Sequence, residues 1–173
     1  MTTIATSRLT LRRAQMDDAP ALHAIMSDPE TMRYWSTLPH ETLEATADFL
    51  AAMIAAPADE SDDFILERAG RVIGKMGAWR LPEIGFLVSR TVWGQGFARE
   101  ALQAFIAHRA QQGTPYLAAD VDPRNARCLG LLQRAGFIET SRAANTWLVG
   151  DEWCDSIYLR LDIDSPTVNE RFT

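Results

Sequence analysis

Two glycines one residue apart, Gly94 and Gly96, separate an apolar run, Glu83-Ile84-Gly85-Phe86-Leu87-Val88, from a stretch in which Ala98, Ala101, Leu102 and Phe105 recur at helical spacing. Strand, glycine loop and helix in that order suit an anion such as phosphate. Unpaired N–H groups and the positive end of the dipole lie at the helix start, and glycine lets the backbone approach closely. What the loop lacks narrows the choice of phosphate. Ala98-Arg99-Glu100 does not supply the Gly-Lys-Ser/Thr ending of a Walker A loop. A dinucleotide fingerprint fits in part, because Asp120 ends the next strand near the expected distance, but its third glycine position holds Arg99. A lone Gly-x-Gly is equally a tight turn. Cys128 and Cys154 form neither a disulfide framework nor a metal-ligand spacing, and no spacing brings His23, His40 or His108 to a thiol.

The elements that must hold this loop follow from periodicity. Arg8-Leu9-Thr10-Leu11-Arg12 alternates as a strand. Asp17 is placed to cap a short helix with Pro20 in its first turn and Ala19, Leu22, Ile25 and Met26 as its buried stripe, ending before Asp28-Pro29. An irregular segment, Met32 to Pro39, precedes a second helix from Thr42 to Pro57, with Leu43, Ala47, Leu50 and Ile54 on one face. Asp59 to Asp63 reads as an exposed acidic loop. Phe64–Arg68 and Val72–Met76 flank Ala69-Gly70-Arg71 as a hairpin, and the Glu83 strand follows. A helix from about Phe97 to Gln112 leads to a strand at Tyr116–Val121. Because strand, helix and strand imply a crossover, these two strands should be parallel. Asn125 opens a fourth helix with Cys128, Leu131, Leu132 and Ala135 as its stripe, and Gly136-Phe137 ends it. Closing strands run to Leu161 around a Gly150-Asp151 turn. Asp162 to Thr173 is a polar tail without a pattern.

Composition limits the function classes. The 173 residues fit one domain, and the 47% hydrophobic and 23% charged content is that of an ordinary globular protein. No apolar run approaches a membrane span and no secretory signal is visible, so the expectation is a cytoplasmic protein without membrane partners. With net charge −6 and no dense basic cluster, nucleic acid is not an expected partner. Lys75 is the sole lysine against sixteen arginines, so positive charge sits on side chains that do not deprotonate and that fork well to phosphate.

Strand, Gly-x-Gly-x-Ala loop, helix, parallel strand, Asn125-x-x-Cys128 and the Gly136-Phe137 stop together resemble the GNAT superfamily of acetyl-CoA-dependent N-acetyltransferases. The family's Gln/Arg-x-x-Gly-x-Gly/Ala motif falls on Trp93-Gly94-Gln95-Gly96-Phe97-Ala98, with Trp93 in the first position, and its second motif on Asn125 to Phe137. Arg8 to Arg12, Glu83-Ile84-Gly85-Phe86, Trp93-Gly94 and Gly150 to Asp155 look like the RimJ/RimL-type branch, which acetylates ribosomal-protein N-termini. The resemblance implies an α/β fold. Its sheet would be predominantly antiparallel, with a central splayed parallel strand pair and about four helices, in one domain over residues 1–173. It also implies acetyl-CoA as co-substrate, no metal, a primary-amine acceptor (a peptide N-terminus or small amine), and a monomer or homodimer.

Residue by residue, the resemblance puts the pyrophosphate on the amides of Gln95, Gly96, Phe97, Ala98 and Arg99, and the pantetheine arm along Leu87 and Val88. Asn125 would bond that arm, cap its helix, or do both. Glu83 is the candidate base or an edge ion pair. Leu132 replaces a general-acid tyrosine found in many members, and Cys128 stands where the branch often has serine, as a weak donor to the departing thiolate or a small apolar contact. Tyr34, Trp35 and Ser36 would wall the acceptor pocket or pack in the core, and His40 either joins that wall or starts a helix in solvent. Two rival readings are a nucleotide-binding oxidoreductase domain using Gly94, Gly96 and Asp120, and an acyl-CoA-binding module without catalysis.

Overall fold

The structure, a computed structural model, describes residues 2–163. In chain order these form β1 (Ile4–Ala5), β2 (Thr10–Arg12), α1 (Ala19–Met26), α2 (Leu43–Ala55), β3 (Asp62–Arg68), β4 (Arg71–Arg80), β5 (Glu83–Val88), α3 (Phe97–Gln111), β6 (Tyr116–Val121), α4 (Ala126–Arg134), β7 (Ile138–Val149) and β8 (Glu152–Asp162). Of the polar tail, positions 164–173 lie outside the described residues, whereas Asp162 ends β8 and Ile163 is buried with its N–H donating to Pro115 O.

One sheet carries all eight described strands in the order β1-β2-β3-β4-β5-β6-β8-β7, and every neighbouring pair is antiparallel except β5 with β6. Its two faces are covered by different helices. Phe97, Ala101, Leu102, Phe105 and Ile106 of α3 and Leu132 of α4 pack with Phe64, Ile84, Val88, Leu117, Ala119, Ile157 and Leu159 on one face. Leu22, Ile25 and Met26 of α1 and Leu50 of α2 pack with Met32, Ile65 and Leu87 on the other. Strand alternation makes this possible, since Ile84 and Val88 point to one face of β5 and Leu87 to the opposite one.

The local stops act as their residues dictate. Thr42 Oγ1 accepts from Ala45 N–H to cap α2. Gly136 at φ 101° lets Phe137 N–H return to Leu132 O, with the Phe137 ring buried. Ala69 and Gly70 both have positive φ, the condition for a tight turn between β3 and β4.

Four expectations need correction. A turn of 3-10 helix, Met16–Asp18, precedes α1, and Asp18 rather than Asp17 takes the capping bond, from Gln15 N–H. In α4 only Leu132 of the expected stripe is fully buried; Cys128, Leu131 and Ala135 are half-buried, and α4 borders a cleft along this face. His40 is half-buried, and its Nδ1 and that of His23 each lie 2.9 Å from the hydroxyl of buried Thr46.

The fourth correction concerns the acidic loop. Asp62 and Asp63 are buried at the start of β3, because arginine, histidine and lysine partners from distant segments meet them there. Arg13 Nη2 and Arg109 Nη1 reach Asp62 at 2.7 Å each and His108 Nε2 at 2.9 Å. Burial opposes ionisation of Asp62, but the hydrogen bonds of Arg109 and Arg13 outweigh it and hold its carboxyl below the usual range. Asp63 pairs with Lys75 Nζ at 2.7 Å in a fully enclosed site. Gly77 faces Asp63 across the ladder, where a Cβ would lie 2.7 Å from Asp63 Oδ1.

Candidate active site: a cleft where the sheet opens

The parallel pair that should hold the sheet's centre together is almost absent. Between β5 and β6 a single register pair, Glu83 with Ala118, survives, supported by Ala118 N–H donating to Pro82 O at 3.0 Å. Beyond it the strands part, and the gap opens into a cleft of about 1070 Å³ running from the glycine loop, past Asn125 and Cys128, to Tyr34 and Trp35.

At the α3 end the loop is an amide cradle. Gly94 and Gly96 have φ of +75° and +82°, a region open to glycine at little cost. This turns the chain so that the N–H groups of Gln95, Gly96, Phe97, Ala98 and Arg99 have no backbone or side-chain acceptor among the described residues, at the start of the 15-residue α3. The sequence reading missed the brace behind it. Arg8 Nε binds Glu100 at 2.6 Å, its Nη1 donates to Gln95 O at 2.9 Å, and its guanidinium lies 4.5 Å from the Phe97 ring centroid. Burial works against ionised Glu100, but hydrogen bonds from Thr6, Arg8 and Ser7 hold its carboxyl low. Arg8 was legible only as an outward position on a strand, since its partners lie about ninety residues away.

Further along, Leu87 and Val88 line the wall on β5. Asn125 Oδ1 accepts from Cys128 N–H at 3.1 Å, so the cap is real, and its amide nitrogen has no partner among the described residues. Burial pushes the Cys128 thiol up to about 12, which keeps it protonated. Tyr34 and Trp35 line the cleft, whereas Ser36 is exposed and outside it, as is the Gln95 side chain. Glu83 lies at the closed end of the gap, outside the lining. Its carboxylate is 3.2 Å from Arg80 Nη2 and its side chain is 41% exposed. Three arginines, Arg99, Arg127 and Arg134, line the loop end of the cleft, and Arg127 stacks 4.5 Å from the Trp93 ring centroid.

The chain that builds this split sheet and amide cradle matches a family model for the acetyltransferase (GNAT) domain over residues 8–138. The chain belongs to the GNAT acetyltransferase family. As a GNAT domain it is 30% identical over 147 residues to an uncharacterised N-acetyltransferase, p20, of Bacillus licheniformis, covering 79% of this chain and 83% of that one. It is 29% identical over 168 residues to an L-methionine sulfoximine/L-methionine sulfone acetyltransferase of Pseudomonas paraeruginosa, covering 90% and 95%. The fold matches RimL, a ribosomal L7/L12 alpha-N-protein acetyltransferase solved with coenzyme A, at a TM-score of 0.82 and 18% identity over 94% of this chain and 99% of that one. The protein is therefore an acetyltransferase enzyme of the GNAT fold. No described helix is long and apolar enough to cross a membrane.

Proposed function

We propose that the protein transfers acetyl from acetyl-CoA directly to a primary amine, and that the cleft between β5 and β6 holds both substrates. The observation that carries this is the split sheet, which joins an anion-binding amide cradle to an aromatic pocket by one continuous channel. The cleft volume, about 1070 Å³, lies just above the range of about 300–1,000 Å³ for small-molecule sites, in keeping with an extended co-substrate and an acceptor. In this reading the pyrophosphate meets the amides of Gln95 to Arg99, with Arg99, Arg127 and Arg134 at hand as cations in a chain of net charge −6. The pantetheine arm follows Leu87 and Val88, and the free Asn125 amide donates to it. Cys128, protonated, donates a hydrogen bond to the departing sulfur.

Acceptors named for relatives are a modified amino acid for the methionine sulfoximine enzyme and a protein N-terminus for RimL. The narrower RimJ/RimL-type reading rests on the Arg8–Arg12 and Gly150–Asp155 stretches together with that fold likeness. The test is thiol release from acetyl-CoA with L-methionine sulfone, spermidine and an alanine-starting peptide, alongside thermal shifts with acetyl-CoA and NADH. Acetyl-CoA should raise Tm with the logarithm of its concentration above saturation. A shift with NADH and none with acetyl-CoA would overturn the reading. An acetyl-CoA shift without amine-dependent thiol release would leave a binding module.

A further inference from the structure

The gap between β5 and β6 has a second side chain at its opening. Counting two residues from the Glu83–Ala118 pair along each strand keeps to the same face of the sheet and arrives at Gly85 on β5 and Asp120 on β6. That face is the one covered by α1 and α2, because Leu117, Ala119 and Val121 point the other way into the core beneath α3 and α4. Gly85 has no side chain, and two indoles come down on it: a Cβ there would lie 3.6 Å from Trp35 Cη2 and 3.9 Å from Trp79 Cδ1. Across the gap, Asp120 lines the cleft, and Trp147 reaches over β8 from β7 to donate its Nε1–H to Asp120 Oδ2 at 2.8 Å.

Asp120 differs from the other carboxylates of the cleft in what holds it. Glu30 faces Arg33 at 3.5 Å and Asp122 faces Arg124 at 2.6 Å. Glu83, at the closed end, faces Arg80. Asp120 has no cationic partner among the described residues, and its Oδ1 has no hydrogen-bond partner there either. A neutral indole donor fixes the direction of the carboxylate without neutralising it. The result is a carboxylate without a cationic partner among the described residues, held by one indole, on the opposite side of the gap from the Gly85 position where the Trp35 and Trp79 indoles pack, a setting that suits an ammonium group.

We infer that Asp120 is the acceptor-amine site of this enzyme: it binds the substrate ammonium through Oδ1 and takes its proton, with Trp147 as its positioning residue. The inference deepens the acetyl-transfer reading and rests on it. One N–H proton of R-NH3⁺ passes to Asp120 and from there to solvent. The freed nitrogen lone pair forms the C–N bond to the thioester carbonyl carbon as the C–S bond breaks, its electron pair leaving on sulfur. A second proton from that nitrogen neutralises the thiolate, so the products are the amide, free CoA and one H⁺. In this assignment Glu83, paired with Arg80, takes no direct part.

Two measurements on wild type, Asp120→Asn, Trp147→Phe and Glu83→Gln decide it. With CoA in place of acetyl-CoA no transfer is possible, so Tm shifts on adding spermidine or methionine sulfone report amine binding alone. Wild type and Glu83→Gln should shift with at least one of these amines, and Asp120→Asn should not, while all four proteins keep the same shift with acetyl-CoA. In turnover, Asp120→Asn should lower kcat/KM for the amine by about a hundred- to ten-thousandfold near neutral pH, the deficit narrowing as the amine deprotonates unaided. Trp147→Phe should cost about tenfold, seen in KM and in a displaced pH profile, which a merely structural loss would not produce. Glu83→Gln should stay within about threefold, the scale of change expected for an exposed ion pair. No amine-dependent shift in wild type, or an Asp120→Asn protein with wild-type shift and rate across pH, overturns the site. A loss confined to Glu83→Gln also overturns it and returns the base role to Glu83. Thiol release failing in wild type while the amine shift depends on Asp120 would sink acetyl transfer and keep the amine site.

Discussion

The two ends of the cleft are built in opposite ways. The α3 end is made from backbone: consecutive amides from Gln95 to Arg99 on one turn, with glycine at Gly94 and Gly96 to shape it and Arg8 bracing it from behind. The α1–α2 end is made from side chains brought together from distant segments: Trp35 and Asp120 line it, with Trp79 of β4 beside Gly85 and Trp147 of β7 holding Asp120. On the proposed function, a contiguous backbone cradle would meet a part common to every acyl-CoA and would tolerate changes in surrounding side chains. If the opposite end is the acceptor pocket, as proposed, its assembly from distant side chains would let the acceptor change one residue at a time without disturbing the cradle.

The contrast is broken most severely at Gly96. Gly96→Val forces a β-branched residue into φ near +82°, and strain of about 1–3 kcal/mol together with lost amide geometry should weaken acetyl-CoA binding by roughly a hundredfold or more. Amine binding should change far less. Titration of the acetyl-CoA thermal shift checks this, and an unshifted titration in a folded variant would remove the cradle from the site. Arg8→Leu should give a milder version of the same loss, because the loop remains but its brace is gone.

At the other end the equivalent support is the buried Asp63–Lys75 pair. Lys75 Nζ lies 5.6 Å from the Trp35 ring centroid and 5.8 Å from that of Phe49. Burial pushes the Asp63 carboxyl up while Lys75 pulls it down, and the net direction is up. Lys75→Met leaves Asp63 without its cation and should cost about 3–5 kcal/mol of stability, much of it recovered in the Lys75→Met, Asp63→Asn double variant. Urea denaturation of the three proteins measures this. Acetyl-CoA affinity should survive in the folded fraction while the amine KM rises as Trp35 loses its floor.

Midway along the cleft, Cys128 lies between the two ends. If its protonated thiol helps the departing sulfur, Cys128→Ser should keep most of the turnover and Cys128→Ala should lose about tenfold, the scale of one hydrogen bond of roughly 1.4 kcal/mol. A stable Cys128→Ala enzyme at full kcat would reassign the residue to packing.

The smallest effect concerns pH. His40 is held below its ordinary value by burial and then by the neighbouring His23. The unfolded chain therefore takes up a proton first as pH falls, so stability is complete above about 6.5 and declines below it. Thr46 Oγ1 has one hydrogen to donate, so at most one ring Nδ1 accepts from it, and protonating such a ring turns that acceptor into a donor to the same hydroxyl. Tm should drop by a few degrees between pH 7 and 5, and His40→Asn should flatten that step. A second decline below about pH 4 should remain in both proteins, because Asp62 and Glu100 have carboxyls held low in the folded state and lose that contribution only as they protonate.

What could be read without a structure was whatever is local in the chain. The Gly94–Gly96 turn, the Thr42 and Asn125 caps, the Gly136-Phe137 stop and the parallel return of Tyr116–Val121 each follow from a few adjacent residues whose backbone or hydrogen-bonding needs are specific. The row of unpaired amides at the start of α3, the proposed phosphate site, was legible for the same reason, since its donors are consecutive in the chain. Elsewhere the local reading gave way to partners far off in sequence. Asp62 and Asp63 read as solvent because charge next to a proline-bearing segment usually is, and only Arg13, Lys75, His108 and Arg109, converging through the fold, make their burial affordable. Glu83 and Asp120 are two acidic residues on strands, alike in pattern. The end at which the sheet opens, and the placement of Arg80 beside one and Trp147 beside the other, separate a paired carboxylate from a free one; register and long-range packing settle that, and no stretch of the chain encodes it locally.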